Sequence, residues 1–163
     1  MKLSHSKLIT LSGLVWFAIG VYLLQLGLTL IFGNFHMPAE LFQHHLPFIH
    51  ALMGYIGGKE IAAILLVIIA LYAGYLKGRY VLGKSAQRGI DRIGTLPNPS
   101  HIKTIYAPAY YLLLGGMVVL GISIKYMGLS NDVRGLIDVI IGSALINGAM
   151  IYFRAARENK AQA

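Results

Sequence analysis

Polar and apolar positions alternate along this chain in blocks rather than with the short period of a soluble fold. Four long apolar runs, at 8–32, 61–76, 108–124 and 135–153, are separated by short polar or basic stretches. Alone or with its flanks, each run supplies the ~20 residues that carry a helix across a ~30 Å hydrocarbon layer. The pattern predicts an all-α membrane protein, a four-transmembrane-helix bundle built of two tandem helical hairpins. The helices are expected at about 8–32, 50–80, 108–128 and 135–154, within one integral membrane domain covering 1–163. A loop at 33–49 joins the first pair, and a basic loop at 78–107 connects the two hairpins. Lys2 and Lys7 precede the first run in the manner of a signal peptide. Its apolar stretch is far longer than the 7–15 residues usual there, and a retained helix is expected.

Within the hairpins, Leu26, Gly27 and Leu28 parallel Leu120, Gly121 and Ile122, and Ala70, Leu71 and Gly74 parallel Ala144, Leu145 and Gly148. A two-helix unit repeated in tandem would give such matches, and so would chance in apolar helices of biased composition. Small residues also recur every seven positions, at Gly13, Gly20 and Gly27, at Ala109, Gly116 and Ser123, and at Gly135, Gly142 and Ala149. Helix two offers only Ala63 and Ala70. Heptad stripes of this kind let helix backbones approach closely at a small left-handed crossing. Packing within the bundle is the favoured use, with one stripe available for a homo-oligomer.

Charge then orients the bundle. The net charge is +8 with only 12% charged residues. Eleven of the fourteen basic residues fall before the first helix, between the second and third, or after the fourth. Lys59, Arg134 and Lys125 are the others. By the positive-inside rule both termini and the middle loop are cytoplasmic, as in a multi-pass protein of a bacterial inner membrane. The basic surplus records topology and gives no reason to invoke nucleic acid. Arg79, Lys84, Arg88 and Arg92 are expected to rest against anionic lipid head groups. The absence of cysteine removes disulfides, thiol catalysis and cysteine-based zinc sites.

Candidate chemistry is sparse. Residues 78–85 read Gly-Arg-Tyr-Val-Leu-Gly-Lys-Ser and match G-x4-G-K-S. A phosphate-binding loop needs a strand before it and a helix after it. Here a transmembrane helix precedes, and no nucleotide is expected to bind. The first loop carries His36, His44, His45 and His50, and 38–46 is expected to form a short interfacial helix. On it Glu40 and His44 share a face at i, i+4, spacing that suits a metal, with His36 as a further ligand. Surface histidines without a metal are the commoner case, and a pH-sensing role is as plausible as a metal. Bis-histidine haem lacks a second histidine at matching depth.

Lys125 and Asp138 are the charges that least suit lipid. A short turn between helices three and four brings them to equal depth, near the outer interface. There they form either a structural clasp, which is favoured, or part of a cation or proton pathway. Gln25 and Asn147 lie deeper, with Thr29 and Ser123 at equivalent repeat positions. The two amides are expected to turn into the bundle, where their polar groups find partners. Three functions fit. An oligomeric transporter or channel, with Lys125, Asp138, Gln25 and Asn147 lining a polar path, is slightly ahead of a non-catalytic accessory or assembly protein that binds partner helices and anionic lipid. A metal-binding protein centred on the histidine loop comes third. No catalytic constellation is present, so an enzyme is not expected; no cofactor is expected beyond that metal.

Overall fold

The fold was taken from a computed structural model, which describes residues 2–97, 100–101, 123 and 126–161. Most of the expected third helix, Lys125 included, lies outside the described residues. What is described is helical apart from a two-residue antiparallel ladder, in which Lys2–Leu3 pairs with Ser100–His101. In chain order the helices are α1 (His5–Phe32), α2 (Ala39–His45), α3 (Pro47–Ile56), α4 (Lys59–Lys77), a π-helical turn (Gly78–Leu82), α5 (Gly83–Gly94) and α6 (Asn131–Ala161).

Element boundaries follow local chemistry. Pro47 opens α3, where its missing N–H costs nothing. Gly57 closes it at φ 91°, a left-handed conformation that residues with a Cβ rarely adopt. The sequence places a helix at about 50–80 and offers Gly57-Gly58 as a break between a short helix at 50–56 and the main span; the two glycines do divide it, and the membrane segment restarts at Lys59. From there α4, the π turn and α5 run without a break over 36 residues, Lys59–Gly94. The basic link at 78–107 therefore begins as an extension of the second span and leaves the helix at Gly94, as the Pro97-Asn98-Pro99 run after it leads one to expect. At the other hairpin, Met127 donates its N–H to the Ser123 carbonyl. Gly128, at φ 65°, then makes the turn that admits α6 at Asn131.

Three helical stretches, His5–Phe32, Lys59–Gly94 and Asn131–Lys160, are long and apolar enough to cross a membrane, with mean hydropathies of 2.1, 2.1 and 1.8. Their surfaces agree with their composition. On α4 the side chains of Ile61, Ile64, Ile68, Ile69 and Tyr72 are each more than half exposed. An apolar face of that extent suits lipid rather than water. The chain is a membrane protein.

The helices pack around two cores, one at each end. At one end Ile31, Phe42, Leu46, Ile49, Ala62, Ala63, Val67 and Val139 are buried together, roofed by α2 and α3. At the other Leu8, Ile9, Trp16, Ala86, Ile90, Ile93, Tyr152 and Ala156 cluster under α5. Between the cores α1 and α6 run antiparallel along their small-residue stripes. A Cβ added at Gly27 would lie 2.5 Å from the Gly135 carbonyl oxygen, and one at Gly135 2.8 Å from that of Gly27. Gly20 and Gly142 oppose each other in the same way, at 2.9 and 2.7 Å. The heptad spacing read from the sequence thus serves an α1–α6 seam. α4 joins that pair along α6, with Gly74 against Ser143 and Gly78 against Ala144 and Asn147.

Candidate functional site

The end of the bundle roofed by α2 and α3 is organised by two charged side chains that the sequence gives little reason to single out. Asp132, in the first turn of α6, is fully buried. One of its carboxylate oxygens accepts the N–H groups of Phe48 at 2.6 Å and Ile49 at 3.2 Å, the free donors in the first turn of α3. The other accepts the Ser130 hydroxyl at 2.6 Å and the Val133 N–H at 2.8 Å. Since the residue before Pro47 gives α3 no side-chain cap, Asp132 caps it from a distant helix and places negative charge at its positive end. Lys59, at the start of α4, donates to the Phe35 carbonyl at 2.8 Å. Its ammonium also sits 5.7 Å from the ring centroids of Phe35 and Phe42, within cation–π range. A sequence clue to Asp132 exists only in the pairing of an acidic residue at one helix start with an uncapped Pro47 elsewhere. Nothing local connects them across more than eighty residues.

On this roof α2 forms as expected, close to the predicted 38–46. His36, Glu40 and His44 are all exposed, and His44 packs its ring edge against His45 at 5.6 Å between centroids. Among the described residues no three histidine or carboxylate side chains converge as a metal site.

Of the four residues of the expected polar path three are described, and each stands at a different place in the bundle. Lys125 lies outside the described residues. Gln25 is exposed, on the side of α1 turned away from the Gly13, Gly20 and Gly27 seam, beside a shallow groove with Val21, Leu24, Leu28, Thr29 and Phe32. Thr29 there bonds the Gln25 carbonyl at 2.9 Å, within its own helix. Asn147 is half-buried at the contact with Gly78, and its amide donates to the Ser143 carbonyl at 2.8 Å. Asp138 is half-buried on α6 with Arg134 acting on it from one turn earlier. Nine helical positions separate Asp138 from Asn147, which sets them on opposite faces of α6. The contact of α1 with α6 is taken by its glycine face, and Gln25 stands outside that contact.

At the far end the chain gathers its basic residues. His5 Nε2 lies 2.9 Å from the Leu96 carbonyl, and the Ser6 hydroxyl donates to the Ala156 carbonyl at 3.0 Å. The start of α1, the end of α5 and the end of α6 therefore share one end of the bundle. The G-x4-G-K-S residues are helical throughout, with the Gly83 N–H donating to the Gly78 carbonyl across the π turn. This is not the geometry of a loop whose amides surround a phosphate. Arg79, Lys84, Arg88 and Arg92 are all exposed here, and Arg79 donates to the Tyr75 hydroxyl at 3.1 Å. No family model, curated protein or solved structure matches the chain.

Proposed function

We propose that this chain is a non-catalytic membrane assembly protein, a compact helical anchor that binds partner helices and forms oligomers, rather than a transporter. One observation carries the reading. The α1–α6 seam is closed by opposed glycines whose backbones meet directly, while Gln25 lies on the side of α1 away from it and Asp138 and Asn147 occupy opposite faces of α6. A conducting path needs polar groups that converge on shared space, and these diverge. The two-ended core, with a capped roof at one end and a basic collar at the other, suits a rigid anchor. In the orientation we propose, the basic end faces the cytoplasm, in a bacterial inner membrane.

The transport reading keeps one support, the half-buried Asp138 within a candidate span. The two are separated by ion and proton flux in proteoliposomes. The assembly reading predicts flux equal to that of protein-free vesicles. Flux above that level which falls in Asp138→Asn would return the protein to the transporters. The histidine loop supports the third, metal-binding reading only through Glu40 and His44 at i, i+4. A stoichiometric metal lost on His44→Ala would establish it.

A further inference from the structure

α5 is the most amphipathic of the described long helices. It buries Ala86, Ile90 and Ile93 against α1 and α6 and exposes Lys84, Arg88 and Arg92 at i, i+4 and i+8 on the opposite face. Just before this stripe Tyr80 and Val81 are 65% and 61% exposed, and one to two turns earlier Tyr75 and Tyr72 are also exposed. Exposed tyrosines that give way to a basic stripe mark the boundary between hydrocarbon and head groups. The one acidic side chain on α5, Asp91, is engaged by the Gln87 amide at 3.1 Å.

The depth of α5 decides what this face meets. If the helix ran straight out of the membrane, Arg92 would stand about 20 Å beyond Lys77 at 1.5 Å per residue. Contacts along α6 place it nearer. Gly83 lies against Ile151, yet Gly89, six residues further on, lies against the Tyr152 hydroxyl. The chain then reaches only the level of His5 and Ala156 by Leu96. After the π turn α5 thus crosses the bundle, and it stays within a few residues of Phe153, where the apolar run of α6 ends. That distance is comparable to the ~8 Å over which charges act at physiological ionic strength.

We infer that the outer face of α5 is a binding surface for the phosphate head groups of anionic phospholipids, with Lys84, Arg88 and Arg92 as its contacts and the tyrosines above them setting its depth. It is an interfacial brace, built by the π turn that redirects the helix. The inference rests on insertion in a bilayer and is independent of whether the protein assembles partners or transports ions.

The test uses the full chain reconstituted in nanodiscs of equal phosphatidylglycerol and phosphatidylcholine, with retained lipids counted by native mass spectrometry. The intact protein is expected to retain phosphatidylglycerol in roughly tenfold excess or more, given about fivefold for each basic residue at the surface. Lys84→Gln, Arg88→Gln and Arg92→Gln together should lower that excess at least severalfold, the remainder coming from the other basic residues at this end. The charge-preserving set Lys84→Arg, Arg88→Lys and Arg92→Lys should keep the excess, and helical circular dichroism checks that each variant folds. Equal retention of both lipids by the intact protein, or an undiminished excess in the glutamine variant, would overturn the inference. So would tight, charge-dependent binding of polyglutamate to the micellar protein without any lipid preference, since it would assign the face to a soluble acidic partner.

Discussion

Asp132 combines full burial with four hydrogen-bond donors, two from the first turn of α3, one from α6 and one from the turn before it, and the Pro47 that begins α3 depends on it for a cap. Removing the carboxylate strands the Phe48 and Ile49 amides in the roof. An uncapped helix start and an unmet buried donor each cost about 1–2 kcal/mol. Asp132→Ala is therefore expected to lower stability by about 2–3 kcal/mol, and Asp132→Asn, which keeps one acceptor oxygen, by clearly less. Equilibrium unfolding in mixed micelles reads both; an alanine variant as stable as the parent would refute the capping role. Lys59 is bound to the same roof, and its contacts with Phe35 and Phe42 predict a smaller loss for Lys59→Met, about 1 kcal/mol. Neither role is legible in the sequence. Both side chains stand at helix starts, where charged residues are ordinary, and what gives them meaning is a carbonyl or an amide far away along the chain.

At the scale of elements, the small-residue stripes were the most readable feature. Gly13, Gly20 and Gly27 on one helix and Gly135, Gly142 and Ala149 on another share a seven-residue spacing, and two antiparallel helices with equal spacing keep their small residues in register. The structure pairs Gly20 with Gly142 and Gly27 with Gly135. Gly20→Leu or Gly142→Leu should force the helices apart and destabilise the protein by about 2–3 kcal/mol. Gly54, with open space around the position its Cβ would take, should behave in the opposite way. Gly54→Ala is expected to be neutral or to stabilise by up to about 1 kcal/mol through better helix propensity. Unfolding midpoints compared across the three variants decide whether tight packing, rather than glycine as such, is what the seam requires. The course of α5 was less readable. Its amphipathic pattern is plain in the sequence, but the π turn that directs it across the bundle is a backbone feature with no residue signature beyond Gly78 and Gly83. Similarly, the sequence does not say that α6 meets the glycine face of α1 rather than the face that carries Gln25.

For the whole molecule, length and hydropathy sufficed to identify a membrane protein with three described helices able to span a bilayer. The proposed tandem repeat and the Lys125–Asp138 clasp depend on the third apolar run, outside the described residues, and remain proposals that mutation can test. If the clasp exists, Asp138→Ala should reduce folded yield, and adding Lys125→Ala should restore part of it, because two removed charges cost less than one left unpaired. The placement of the ends is firmer. Contacts of His5 with Leu96 and of Ser6 with Ala156 bring the start of α1, the end of α5 and the end of α6 to one end, while Lys59 and Asp132 occupy the other.

In the proposed orientation this shared basic end lies wholly on the cytoplasmic side. The chain has no cysteine, so single cysteines report their own side without background. Ser4→Cys, Glu158→Cys and Gln43→Cys sit at exposed positions and can each be treated with a membrane-impermeant maleimide in intact cells and after permeabilisation. The expected result is immediate labelling of Gln43→Cys, with Ser4→Cys and Glu158→Cys labelled only once the membrane is opened. Labelling of Ser4→Cys or Glu158→Cys in intact cells, or protection of Gln43→Cys, would contradict the account.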